Sequence, residues 1–134
     1  MTKPPKNPAL YILMRTDMDS LTPGKAMAQA AHAANQFQTL VGNLGSAAAD
    51  MWSDQADGFG TTIILGVDSL REMDEVVESA LEEEFHAGMV LDSSYPIRDG
   101  KVVHHLSIYT CAFVFTECRD TNKVSSLAGL TLYK

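Results

Sequence analysis

Apolar positions along the chain gather into four dense runs, and between them they recur at every third or fourth residue. The first run, Ala9 to Arg15 (ALYILMR), is too brief for a stable helix and rich in residues that suit a pleated core. Thr61 to Val67 (TTIILGV) reads as a second strand by its β-branched content, Ala87 to Leu91 as a short third, and Leu106 to Phe115 as a long fourth. Near-continuous apolar content makes the first and fourth central strands. The strands before the two candidate loops, the first and third, are expected to be parallel neighbours.

Helical spacing fills the gaps. Thr22 is placed to cap, and Pro23 to open, a helix from Pro23 to Val41. On it Ala26, Ala30, Ala33 and Phe37 share one face, whose small side chains let the helix lie close against a sheet. Ser46 to Trp52 predicts one or two further turns, with Trp52 as a packing anchor ahead of the Gly58-Phe59-Gly60 loop. Asp68-Ser69 then caps an acidic helix in which Leu70, Met73, Val77, Ala80 and Leu81 recur at helical spacing and leave the carboxylates on the other, solvated face. A polar loop is expected from Asp92 to His104 with a turn at Asp99-Gly100, then a short helix over Thr121 to Ala128 and a final Leu130 to Tyr133 segment. The alternation gives an α/β fold: a three-layer α/β/α sandwich around a small mixed four-stranded sheet.

At 134 residues with 46% apolar content, the chain suits one core: a single domain over residues 9–134 behind a flexible arm at 1–8. No stretch reaches the ~18 uninterrupted apolar residues of a bilayer span, and no signal-peptide pattern is visible, so the expected compartment is the cytoplasm, with no membrane partner. A net charge of −7 argues against nucleic acid until its distribution is considered. The segment from Asp68 to Glu84 holds eight acidic residues and one basic, Arg71, and so carries all of that excess. The rest is balanced, which leaves room for a locally positive face. Cys111 and Cys118 lie in or beside an apolar run without ligand spacing, and read as buried thiols.

Candidate chemistry concentrates on the first helix. Lys25, Gln29 and His32 fall at i, i+4 and i+7, a polar stripe expected to face away from the alanine stripe. Lys25 occupies the first turn, where a cation opposes the helix dipole, and an anionic ligand would reconcile the two. The plain reading is an exposed helix face with an incidental histidine. Asp92 likewise reads either as a site carboxylate or as a turn residue capping Ser94. His104 and His105 are adjacent near the last strand and point to opposite faces, so they make no joint metal site. Ser94 and Ser107 lack a nucleophile elbow, and Gly24 lacks the glycine spacing of a P-loop.

Taken together, Arg15-Thr16-Asp17, Pro23-Gly24-Lys25 and Ala28-Gln29-Ala30-Ala31-His32-Ala33-Ala34 resemble the amino-terminal signature of the archaeal- and eukaryotic-type peptidyl-tRNA hydrolases. The resemblance implies cleavage of the ester joining a peptide to the terminal ribose of a tRNA, without metal or organic cofactor. Under it His32, Asp92 and Lys25 are the expected catalytic residues. Gln29, Thr110, Arg15 and Arg98 are the expected substrate-binding ones, and tRNA is the partner. The family usually follows its Asp with a small residue, Gly, a basic residue, Thr and Gln. Here Asp92 is followed by Ser93-Ser94-Tyr95-Pro96-Ile97, and a basic residue returns only at Arg98. That departure marks a divergent member and keeps two other readings open. One is a non-catalytic RNA-, nucleotide- or protein-binding module on the same fold; the other is a domain that associates, for instance as a homodimer, through an exposed apolar patch.

Overall fold

The computed structural model describes residues 7–117 and 124–134. Along the chain run β1 (Ala9–Arg15), α1 (Pro23–Gly42), α2 (Ala47–Ser53), a 3-10 turn (Ala56–Gly58), β2 (Thr62–Val67), α3 (Leu70–Glu82), β3 (His86–Asp99), β4 (Val102–Thr116) and β5 (Thr131–Leu132). The strands form one mixed sheet in the order β3-β4-β1-β2-β5. Strands β1 and β2 are parallel, while β4 is antiparallel to both its neighbours and β5 is antiparallel to β2.

The alternation of β1 sorts the core into two layers. Leu10, Ile12 and Met14 meet Phe37, Trp52, Phe113 and Phe115 beneath α1 and α2, whereas Ala9, Tyr11 and Leu13 meet Met73, Val77 and Ala80 beneath α3. Trp52 anchors the first layer as expected. Its ring stands edge-on to Phe37 at 5.3 Å between centroids, and its Nε1 donates to the Thr61 carbonyl at 2.7 Å. Gly60 is required beside it: its φ is +76°, and a Cβ there would lie 2.2 Å from the indole. The acidic helix begins as its sequence predicts, with the Ser69 hydroxyl accepting from the Glu72 N–H at 3.0 Å. At α1, Thr22 occupies the cap position but makes no side-chain cap bond.

Four expectations need correction. The sheet has five strands rather than four, because Leu132 and Thr131 pair with Leu65 and Gly66; two residues are too few to leave a periodic signal. The segment after Asp92 is no loop. It continues β3 to Asp99 and returns as β4 from Val102, a two-stranded ribbon whose polar residues face solvent and therefore lack the signature of a core strand. The turn itself lies at Gly100-Lys101, one residue beyond the expected Asp99-Gly100. Strands β1 and β3 are not neighbours, since β4 lies between them. The terminal helix over Thr121 to Ala128 is represented, in its described part, by a turn in which Leu127 and Ala128 both donate to the Val124 carbonyl. Residues 121–123, Cys118 and positions 1–6 of the proposed arm lie outside the described residues. Among those described, no helix is long and apolar enough to cross a membrane.

Candidate active site

The polar stripe of α1 runs along β3. Lys25 Nζ donates to the Pro96 carbonyl at 2.9 Å, Gln29 Nε2 to Asp92 Oδ2 at 2.7 Å, and Gln36 Nε2 to the Met89 carbonyl at 2.9 Å. Positions 25, 29 and 36 thus extend one helical face over three turns. Gln36 continues the spacing and could have been read from it. Gly88 leaves room for this approach, since a Cβ there would meet the Phe113 ring at 2.9 Å and Gln36 at 3.2 Å. Gln29 corrects the expected orientation of the stripe: it is 4% exposed and shares the buried face with Ala26, Ala33 and Phe37. His32 is exposed on the same stripe.

A chain of short hydrogen bonds passes through Gln29. The buried hydroxyl of Thr110 donates to Gln29 Oε1 at 2.6 Å, which fixes the amide so that its nitrogen faces Asp92. Two irregularities of the ribbon make this possible. Val90 pairs with Cys111 and Leu91 with Tyr109, so Thr110 is an extra residue on β4, a bulge that turns it and Cys111 alike toward α1. A second shift lies between Asp92 and Tyr95. There the Ser94 N–H folds back to donate to Asp92 Oδ1 at 2.9 Å, so Asp92 is both the turn acceptor and the partner of Gln29.

These contacts set the electrostatics. The Ser94 N–H, more than any other group, holds the Asp92 carboxyl below its ordinary value; burial opposes it, while the Gln29 amide and the charge of His32 add to it. Asp92 is therefore an ionised acceptor at neutral pH, within electrical reach of the imidazole at position 32. The Cys111 thiol, which donates to the Gln29 carbonyl, is pushed up to about 11 by burial, so it stays protonated and packs as a small apolar group.

Tyr95 was absent from the sequence-based candidates, and only its place in an otherwise polar segment marks it. Its ring is fully buried, its hydroxyl donates to Ser20 Oγ at 3.2 Å, and Lys25 Nζ lies 5.2 Å from the ring centroid. Arg15 is engaged by Asp17 through two nitrogens and by the Tyr109 carbonyl through a third. Arg98 is exposed on the ribbon. His104 and His105 pair with Ile97 and Pro96 on successive positions of β4 and so face apart. Among the described residues, no cluster of three or more His, Cys, Asp or Glu side chains is placed to hold a metal ion. A cleft of about 410 Å³ opens between the end of β1 and the ribbon, lined in part by Arg15, Ser20, Ile97 and Tyr109. A larger one, about 600 Å³, is walled by Leu70, Arg71, Asp74, Met89 and Tyr109, and none of Lys25, Gln29, His32, Asp92 and Thr110 lines it.

Comparison with known proteins adds three findings. The fold is similar to that of a solved protein of unknown function from Agrobacterium tumefaciens strain C58, with a TM-score of 0.59 over 96% of this chain and 99% of that one at 7% identity. No curated protein matches the sequence. The family model described as peptidyl-tRNA hydrolase PTH2 matches residues 9–122, which span β1 and the helix stripe, Asp92 and Thr110. By that match the chain belongs to the peptidyl-tRNA hydrolase PTH2 family.

Proposed function

We propose that the chain hydrolyses the ester between a peptide, or an N-blocked amino acid, and the terminal ribose of tRNA, with His32 and Asp92 acting on the water. The single observation that carries this reading is the Thr110–Gln29–Asp92 hydrogen-bond chain set beside the exposed His32. Ester hydrolysis needs a base for water, charge opposite the oxyanion, and fixed geometry. His32 takes a proton from water as its oxygen bonds to the ester carbonyl carbon. The same imidazolium returns that proton to the ribose oxygen as the ester bond breaks, which leaves a peptide carboxylic acid and a tRNA with a free hydroxyl. Asp92 stabilises the transient imidazolium, and the Ser94 N–H and Gln29 amide keep the carboxylate in place for it. Lys25, whose ammonium already neighbours Tyr95 and the Pro96 carbonyl, offsets charge on the oxyanion or a nearby phosphate. Arg98 contributes positive charge on the ribbon toward the RNA.

The deciding experiment follows release of the N-blocked amino acid from an N-acetyl-aminoacyl-tRNA by the wild type, His32→Ala and Asp92→Asn. Turnover by the wild type that collapses in both variants supports the reading. A wild type that binds the RNA without cleaving it overturns the catalytic assignment.

A further inference from the structure

Arg15 is the last residue of β1 and lies one position past Met14↔Cys111, where the β1–β4 ladder ends. Its Nε and one terminal nitrogen grip the two carboxylate oxygens of Asp17 at 2.9 and 2.8 Å, and the other terminal nitrogen donates to the Tyr109 carbonyl at 3.0 Å. A guanidinium held in this forked manner has its third donor direction fixed by the first two. The carbonyl it holds belongs to the residue immediately before the unpaired Thr110 of the β4 bulge. Where a bulge interrupts the ladder, the backbone loses the bonds that would otherwise orient it. Here the Arg15 side chain bonds that backbone, and the hydroxyl of the next residue, Thr110, donates to Gln29.

We propose that Arg15, clamped by Asp17, is a positioning residue: by pinning the Tyr109 carbonyl it sets the bulge that aims Thr110 at Gln29 and so fixes the amide facing Asp92. In its kinetic half this rests on the hydrolytic reading above. Its structural half does not, and the two are tested separately. The competing use of Arg15, contact with a substrate phosphate, makes opposite forecasts.

The variants are Arg15→Lys, Arg15→Gln and Asp17→Asn, the last of which keeps the local shape if loss of the guanidinium unfolds the protein. The first measurement is the Gln29 side-chain amide resonance and the titration of the Asp92 carboxyl by NMR, neither of which needs turnover. The other charged and titratable groups on the elements packed about that carboxyl are unchanged in all three variants: Lys25 and His32 on α1, His86, Tyr95, Arg98 and Asp99 on β3, and His104, His105, Tyr109 and Cys111 on β4. The expected result is a displaced Gln29 resonance and an Asp92 midpoint that moves upward in every variant, Arg15→Lys included, because the fork matters rather than the charge. The second measurement is steady-state hydrolysis of N-acetyl-aminoacyl-tRNA across salt concentrations, for which kcat falls roughly 10-fold with KM nearly constant. Unmoved Gln29 and Asp92 signals overturn the proposal. So does a raised KM with a salt slope reduced by about one, since that is the mark of a lost phosphate contact. If the wild type shows no turnover the hydrolytic reading falls, and the NMR measurement still decides this one.

Discussion

Gln29 donates through Nε2 to Oδ2 of Asp92 at 2.7 Å, a bond that ties the middle of α1 to the middle of β3 across 63 residues of sequence. Because Thr110 occupies the amide oxygen from the other side, the amide cannot flip without losing both bonds. Replacing it tests the relay directly. Gln29→Glu sets a second carboxylate against Asp92, raises the Asp92 titration midpoint, and lowers kcat by about 10²-fold. Gln29→Leu leaves the buried Thr110 hydroxyl with only the weak sulfur acceptor of Cys111, 3.7 Å away, and costs about 1–3 kcal/mol of stability, measured by urea unfolding.

His32 is exposed, so its removal separates chemistry from folding. His32→Ala should change stability by no more than about 0.5 kcal/mol while lowering kcat by roughly 10²- to 10⁴-fold. Thermal melts and single-turnover hydrolysis read the two effects. A large loss of stability would mean that the ring is packed rather than available.

Acid should unfold the protein through two carboxylates. Asp17 is held below its ordinary 3.8 chiefly by its hydrogen bond from Arg15, and Asp92 chiefly by the Ser94 N–H. The unfolded chain then binds more protons than the folded one in the window just below that value, so the contribution is complete above pH ~4 and is lost as pH falls through the folded midpoints. Urea midpoints measured from pH 6 downward should drop below about pH 4, and the drop should be shallower in Asp17→Asn.

The Cys111 thiol, raised to about 11 and fully buried, should resist iodoacetamide at pH 8 in the native protein and react at once in denaturant. Peptide mapping by mass spectrometry identifies the labelled site. Native labelling at Cys111 would show that the β4 bulge opens.

Most of the layered fold was legible in the chain because its core elements carry strong periods. The near-continuous apolar run of β1, the alanine spacing of α1 and the capped acidic helix are each visible in the sequence, and Pro23 and Ser69 mark helix starts that the structure retains. The rest is governed by contacts between distant residues. The Asp92–Asp99 segment carries only Tyr95 and Ile97 as apolar packing residues among exposed polar ones, and polarity reads as loop when no partner strand is visible. Gln29 looked like part of a surface stripe, since a glutamine's burial depends on partners, here Thr110 and Asp92, that lie 81 and 63 residues away. The bulge at Thr110 has no local signature at all, because it consists of a mismatch in count between two strands.

The overhang of α1 along β3 also bears on how copies of the chain meet one another. Carbonyls at Met89 and Pro96, which an approaching extended segment would use to add itself to the sheet, are occupied by the amide of Gln36 and the ammonium of Lys25. At the opposite border β5 offers a template only two residues long. The polar stripe of α1 therefore also guards the sheet against edge-to-edge growth, and stripping Lys25 and Gln36 together would be expected to make the protein prone to fibrous assembly while leaving its core intact.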